Sequence, residues 1–227
     1  MISLIKRIFR LILSLPKTIY FNFLVFPFKV AVQLPVLVEY TTKFYALHKN
    51  TVVLNGKIKF AMIKIGWGEG SPGNECNRNN CWIVKKKCRI LFEGTAHFAK
   101  GVTLRADNEG TISFGDKFVA NQNFFCASNT AISIGSNVVL GWNINIRDAD
   151  GHSIYDQNQN RINHNKPISI GNRVWLASYV SILKGAKIPD NSIVAYGAIV
   201  TKSFFEKNVI IGGIPATVVK KNINWEI

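Results

Sequence analysis

The chain has 227 residues, with 28 Lys+Arg against 13 Asp+Glu and a formal net charge of +15. Apolar residues make up 48% and charged residues 18%, which excludes a disordered chain, and 17 Gly with seven Pro exclude a collagen-like or low-complexity one. The length fits one ordinary domain plus an appendage, and no run of eighteen uncharged apolar residues occurs, which argues against a conventional membrane-spanning helix.

Met1–Leu15 reads as a short helix. Ser3, Lys6, Arg7, Arg10 and Ser14 form one thin polar stripe, and apolar residues cover the rest. Pro16 is expected to end the helix. A second apolar stretch, Ile19 to Val38, is broken by Pro27, Lys29 and Pro35. Pro16-Lys17 stands where a cleaved signal peptide would need an unbroken apolar centre and small residues. Two readings remain for residues 1–40: a peripheral membrane-surface anchor, or a helix packed on its own protein or a neighbouring subunit. Residues 1–100 hold 16 Lys+Arg and four Asp+Glu, an excess of twelve, whereas residues 101–227 hold 12 and nine, an excess of three. An anionic partner therefore meets mainly the first half. No nucleic-acid motif or basic recognition helix is present, so nucleic acid is not expected. Cys76, Cys81, Cys88 and Cys126 match no zinc pattern and read as reduced thiols of a cytoplasmic protein.

The strongest signal is a period of six. Ile170, Leu176, Ile182, Ile188, Val194 and Val200 are large aliphatics six apart. Four positions after the first five stand Val174, Val180, Ala186, Ser192 and Ala198. Neither a helix nor a simple strand demands this spacing; a chain that turns a corner every six residues does. Upstream, Ile134, Leu140 and Ile146 keep the step, as do Phe114, Ala120 and Cys126, and Phe92, Phe98 and Leu104. Ile112-Ser113-Phe114-Gly115, Ile132-Ser133-Ile134-Gly135 and Ile168-Ser169-Ile170-Gly171 read as coil starts, and Ile63-Lys64-Ile65-Gly66 as a poorer copy. From Ile132 to Ile168 is 36 residues, twice an eighteen-residue coil, so one coil carries an excursion. The open ends of such a stack need caps, which residues 1–50 and the tail from Ser203 can supply.

In these repeats, most specifically in the stretch from Ile170 to Lys202, the chain resembles the hexapeptide-repeat acyltransferases. It is most similar to the maltose/galactoside-type and the capsule or lipopolysaccharide O-acetyltransferases. The resemblance implies an all-β solenoid, a left-handed parallel β-helix, assembled as a homotrimer with acetyl-CoA in the cleft between subunits. The expected organisation is an apolar, basic segment at 1–50, the β-helix at 51–202 with an active-site loop at 148–167, and a cap and CoA-proximal tail at 203–227.

His152, in Asp148-Ala149-Asp150-Gly151-His152, opens the excursion. Acyl transfer to a hydroxyl needs a base of near-neutral pKa, and a loop projecting from a rigid coil suits one. The family places its catalytic histidine in this loop. Ser153 stands where galactoside-type members have proline, which points to the polysaccharide-modifying branch. Asp150, and less so Asp148, can fix the imidazole tautomer or contact the acceptor; alternatively both simply turn the loop. His48, His97 and His164 receive no role, and a three-histidine metal site is not visible.

By resemblance, Asn121 and Asn123 match an acceptor-side Ala-Asn-x-Asn element, and Trp142 is placed to stack on a sugar or to cover a coil. Ala177-Ser178 matches the donors to the thioester oxygen, with Ser178 the candidate. Trp175, Ala177, Ala195, Tyr196, Thr201, Lys202 and Lys220 are expected along CoA, although Thr217 stands where a basic residue is frequent. The expected activity is acetyl-CoA-dependent transfer to a sugar hydroxyl, without a metal or a covalent acyl-enzyme, in the cytoplasm or at the inner face of the membrane. N-acetylation of an amino sugar and a non-catalytic membrane scaffold are the alternatives.

Overall fold

A computed structural model describes residues 2–67 and 78–226, with side chains from residue 5 onward. Cys76 therefore lies outside the described residues; Cys81, Cys88 and Cys126 are free thiols. Two helices, Ile2–Val25 (α1) and Phe28–Ala31 (α2), precede a long coil of short strands.

The hexad column folds as its spacing requires. Ile170, Leu176, Ile182, Ile188, Val194 and Val200 are all buried, and so are Val174, Val180, Ala186, Ser192 and Ala198. Each side of the coil thus turns one large aliphatic and one small residue inward. The sides stack into three sheets. The first runs from Val36–Val38 through Phe118–Ala120, Val139–Leu140, Trp175–Leu176 and Ile193–Val194 to a terminal hairpin, Ile210–Gly213 and Ala216–Lys220. The second includes Lys43–Ala46, Phe125–Ser128, Asn145–Arg147, Ser181–Leu183 and Ile199–Val200. The third runs from Val52–Leu54 to Lys187–Ile188. Strand pairing is parallel within the coil, and the terminal hairpin is antiparallel. The prism interior is mainly apolar, with a nest of Phe92, Phe98, Phe114, Phe118 and Phe124 whose ring centroids approach to 4.7 Å between Phe114 and Phe118.

Ile132 pairs with both Ile112 and Ile168, so the three coil starts stack in register on the third sheet. A Cβ on Gly115 would lie 2.4 Å from the Gly135 backbone, and one on Gly135 would lie 2.6 Å from the Gly171 carbonyl oxygen. Only glycine lets successive turns approach this closely. Ile63-Lys64-Ile65-Gly66 is also a strand, but of the first sheet rather than the third. An inward-outward-inward run closed by glycine fits any side of the prism.

Two expectations for the N-terminal segment change. The coil begins at Val36, inside the segment assigned to 1–50, because the buried run Val36–Val38 is already a strand of the first sheet. And α1 does not stop at Pro16; it continues to Val25. Pro16 is exposed, so the ring and the carbonyl it frees face away from the prism. Side-chain bonds hold the helix on both sides of it. Thr18 Oγ1 accepts from Val38 N (3.0 Å) and donates to Val38 O (3.2 Å). The Asn22 amide accepts from Val36 N (3.2 Å) and donates to Val36 O (2.7 Å). Ser14 Oγ accepts from Tyr40 N (3.0 Å). Ser14, at the end of the polar stripe, and Thr18 and Asn22 beyond it therefore cap the open edge of the first sheet, which would otherwise present unpaired N–H and C=O groups. By length and apolarity alone, Ile5–Val25 could also cross a membrane (mean hydropathy 1.4).

Candidate active site

The expected site residues gather at two corners of the prism, one on each edge of the second sheet. The first corner joins the first sheet to the second. There, four turns stack: Asn121-Gln122-Asn123, Gly141-Trp142-Asn143, Ala177-Ser178-Tyr179 and Ala195-Tyr196-Gly197. Backbone bonds register them, with Asn143 N on Gln122 O (3.0 Å), Tyr179 N on Trp142 O (2.8 Å) and Gly197 N on Ser178 O (3.0 Å). The third residue of each turn is left-handed, at φ +62°, +58°, +64° and +71°. Asparagine and glycine tolerate this conformation; the bulky Tyr179 does not do so readily.

At this corner the Ser178 hydroxyl is buried and accepts from Trp142 N (3.0 Å), which leaves its own proton to donate. Asn123 donates to Asn143 Oδ1 (3.0 Å), an amide ladder that fixes the turn. Gln122 Oε1 and the Trp142 indole N–H, on consecutive turns, are buried without a partner among the described residues. Such orphaned groups suit a polar ligand or a neighbouring chain. Tyr179 and Tyr196 stand exposed with ring centroids 5.2 Å apart. Tyr179 was not anticipated; the signal was a large side chain where the turn favours Gly or Asn.

The second corner joins the second sheet to the third and carries the excursion 148–167. Asp148 is buried, and its carboxylate accepts from Asn129 N (2.7 Å), Thr130 N (2.9 Å) and Ser128 Oγ (2.8 Å). It fastens the root of the loop and does not face an acceptor, which corrects the expectation of a substrate contact. Asp150 binds Lys184 and accepts from Asn163 Nδ2 (2.8 Å). The Lys184 ammonium, then the Asn163 amide, hold its carboxyl below the usual range. The expected carboxylate–imidazole pair is therefore absent here: Lys184, at the end of the strand Ser181–Leu183, competes for Asp150. Asn163 was missed in the sequence. It is buried, donates to the His152 carbonyl (2.7 Å), and accepts from Ile154 N (2.7 Å). One amide thus latches the loop around His152.

The His152 ring is exposed and has no hydrogen-bond partner among the described residues. Thr201 and Lys202 follow Ile199–Val200, which pairs with Ser181–Ile182, on the same corner. Beside the loop root, an open cleft of about 420 Å³ runs over the outer face of the second sheet, lined by Lys85, Arg105, Asp107, Phe125, Arg147 and Gly151. The Arg147 guanidinium lies 5.2 Å from the Phe125 ring centroid. Burial pushes the Asp107 carboxyl up, but bonds from Lys85 and Arg105 outweigh it and leave the group below its usual range.

Trp175 and Lys220 lie away from both corners. Trp175 is part-exposed on the first sheet, with its ring centroid 6.3 Å from that of Trp225 in the tail. Lys220 is exposed on the terminal hairpin, opposite Ile210. Neighbouring Lys221 pairs with Glu206 (2.7 Å). Among the described residues, no group of three His, Cys, Asp or Glu is placed to hold a metal ion.

No family profile matches the chain. A polysialic acid O-acetyltransferase of Neisseria meningitidis is 37% identical over 155 residues, 65% of this chain and 72% of that protein. The chain belongs to the hexapeptide-repeat acyltransferases. A galactoside O-acetyltransferase of Escherichia coli is 35% identical over 111 residues, 48% of this chain and 54% of that protein, so this member spans about half of that relative. The crystal structure of a polysialic-acid-specific acetyltransferase superimposes with a TM-score of 0.54 at 23% identity, covering 85% of this chain and 89% of that one. The fold of this acyltransferase is accordingly a left-handed parallel β-helix, as the family resemblance implies.

Proposed function

We propose that the protein is an acetyl-CoA-dependent O-acetyltransferase that modifies a sugar hydroxyl of a surface polysaccharide or its precursor, as a homotrimer, with His152 as general base. The observation that carries this reading is a histidine at the opening of a latched loop beside a cationic cleft. His152 takes the proton of the acceptor hydroxyl as its oxygen attacks the thioester carbonyl. The C–S bond then breaks, and the proton passes to the leaving thiolate. The Ser178 hydroxyl donates to the oxyanion. Arg105, Arg147 and Lys85 favour an acceptor that carries carboxylate or phosphate groups.

The placement of the two corners supports a site completed by a neighbouring chain. The corners flank a sheet about three residues wide, roughly 10 Å at about 3.3 Å per residue. His152, Thr201 and Lys202 occupy one edge, and Asn121, Trp142, Ser178 and Tyr196 the other. One chain offers two half-sites on different sides. A head-to-tail ring sets the His152 corner of each protomer against the Ser178 corner of the next and completes the groove for acetyl-CoA. Tyr179 and Tyr196 suit the adenine ring, and Thr201 and Lys202 the phosphates. The working place in this reading is the cytoplasm, where acetyl-CoA and reduced thiols are found.

The test is an acceptor screen with acetyl-CoA, read by CoA release and by mass spectrometry of the product. Acidic oligosaccharides should be acetylated on oxygen and preferred over neutral ones. Transfer only to amino-sugar nitrogen, or no CoA release with any saccharide, would overturn the reading.

A further inference from the structure

The helix α1 uses its polar side to cap the prism, and that leaves its apolar side outward. Ile5, Phe9, Ile12, Ile19 and Phe23 lie along one line of the helix, opposite Ser14, Thr18 and Val25, and all five are exposed. Phe28 in α2 is 72% exposed and Phe60, beside the helix, 60%. A contiguous apolar face on a helix of 24 residues, about 36 Å long, exceeds what a soluble surface ordinarily carries.

Among the described residues, the exposed charges around that face have one sign. Residues 1–38 contain no Asp or Glu and hold Lys6, Arg7, Arg10, Lys17 and Lys29. The first acid, Glu39, is buried and pairs with Arg10 at 3.5 Å. Lys6, Arg7 and Lys29 are exposed at the two ends of the apolar face. Beside the helix, a groove of about 480 Å³ is lined by Ile8, Leu11, Phe60 and Trp67, with Arg7 and Lys64 among its walls. Apolar walls with cations suit an acyl chain beneath an anionic headgroup. A second copy of the same face would bring like charges together with no carboxylate to offset them.

We infer that α1, α2 and the Phe60 turn form a docking face for an anionic lipid surface, on which the helix lies in the plane of the interface while it caps the β-helix. Spanning the bilayer is a different outcome. It would tear Thr18 and Asn22 from the strand Val36–Val38 and Ser14 from Tyr40, and expose that edge. The inference is independent of the chemistry at His152, because its test reads binding and not turnover.

The experiment is flotation of the full chain with vesicles containing one-third phosphatidylglycerol, against pure phosphatidylcholine vesicles. The chain should float with the anionic vesicles and not with the neutral ones. Ile12→Gln/Ile19→Gln, on outward positions that the fold does not use, should abolish flotation and leave the oligomeric state and thermal melt unchanged. Lys6→Glu/Lys29→Glu should weaken partitioning by about 25-fold or more, at about fivefold per cation near the surface. Four results would overturn the inference: no flotation of the wild type, equal flotation of either variant, loss of the oligomer in Ile12→Gln/Ile19→Gln, or retention in the membrane after alkaline carbonate extraction.

Discussion

A site divided between two corners makes a quantitative prediction for mixed oligomers. His152→Ala removes the base from the second corner. Ser178→Ala/Tyr196→Ala removes the oxyanion donor and an exposed ring from the first. Each variant alone should be inactive. Co-expression with two different tags and sequential purification yields trimers holding two copies of one chain and one of the other. Around such a ring, a site is intact only where a chain with normal His152 faces a chain with normal Ser178 and Tyr196. That occurs at one interface of three, so doubly tagged trimers should show about one third of wild-type activity. The assay is CoA release with a thiol reagent at saturating acetyl-CoA. If the 148–167 loop instead folded over its own Ser178 corner, no mixed trimer would contain an intact site. Activity at the level of the parent variants would therefore refute the shared groove.

Asn163→Ala should lower kcat, because it deletes bonds to Asp150, the His152 carbonyl and Ile154 at about 1 kcal/mol each; faster proteolysis within 148–167 well below the melting temperature would separate this unlatching from global unfolding. Asp150 has its folded pKa depressed by Lys184, so its ion pair contributes above the ordinary carboxylate range and is lost only as pH falls through that lowered pKa. Any limb of the pH–rate profile between about pH 5 and 8 therefore belongs to another group, and Asp150→Asn should leave its position unchanged; a downward shift would restore the carboxylate–imidazole pair. Burial pushes the Cys126 thiol far up, so iodoacetamide should label it only after denaturation, as mass spectrometry would show.

The coil was legible because its constraint is local and repeated. Each side from Ile170 to Val200 needs one large aliphatic inward, six residues after the last, so that column announced itself, and the break after Ile146 announced the loop that carries His152. The end of helix α1 was misread, because it depends on a partner distant in sequence. Pro16 stops an isolated helix, but Thr18 and Asn22 grip Val36–Val38 across it. The sequence leaves membrane anchoring and packing on the protein open for this helix, because nothing in α1 alone reveals the open sheet edge it covers. Asp148 and Asp150 have the same side chain two residues apart, yet one points into the coil among three donors and the other out toward Lys184. Asn163 looked like ordinary loop polarity, since its role depends on a turn eleven residues earlier. The division into two corners was latent in the hexad count and becomes visible once each residue is assigned to a side of the prism.

The most direct measurement is turnover by His152→Ala beside its affinity for CoA. On this account, acetyl transfer falls to background, by at least about 100-fold, and CoA binding by calorimetry stays within about threefold of wild type. Sustained turnover by that variant would show that another group accepts the hydroxyl proton, and the assignment of the loop as the catalytic element would be wrong.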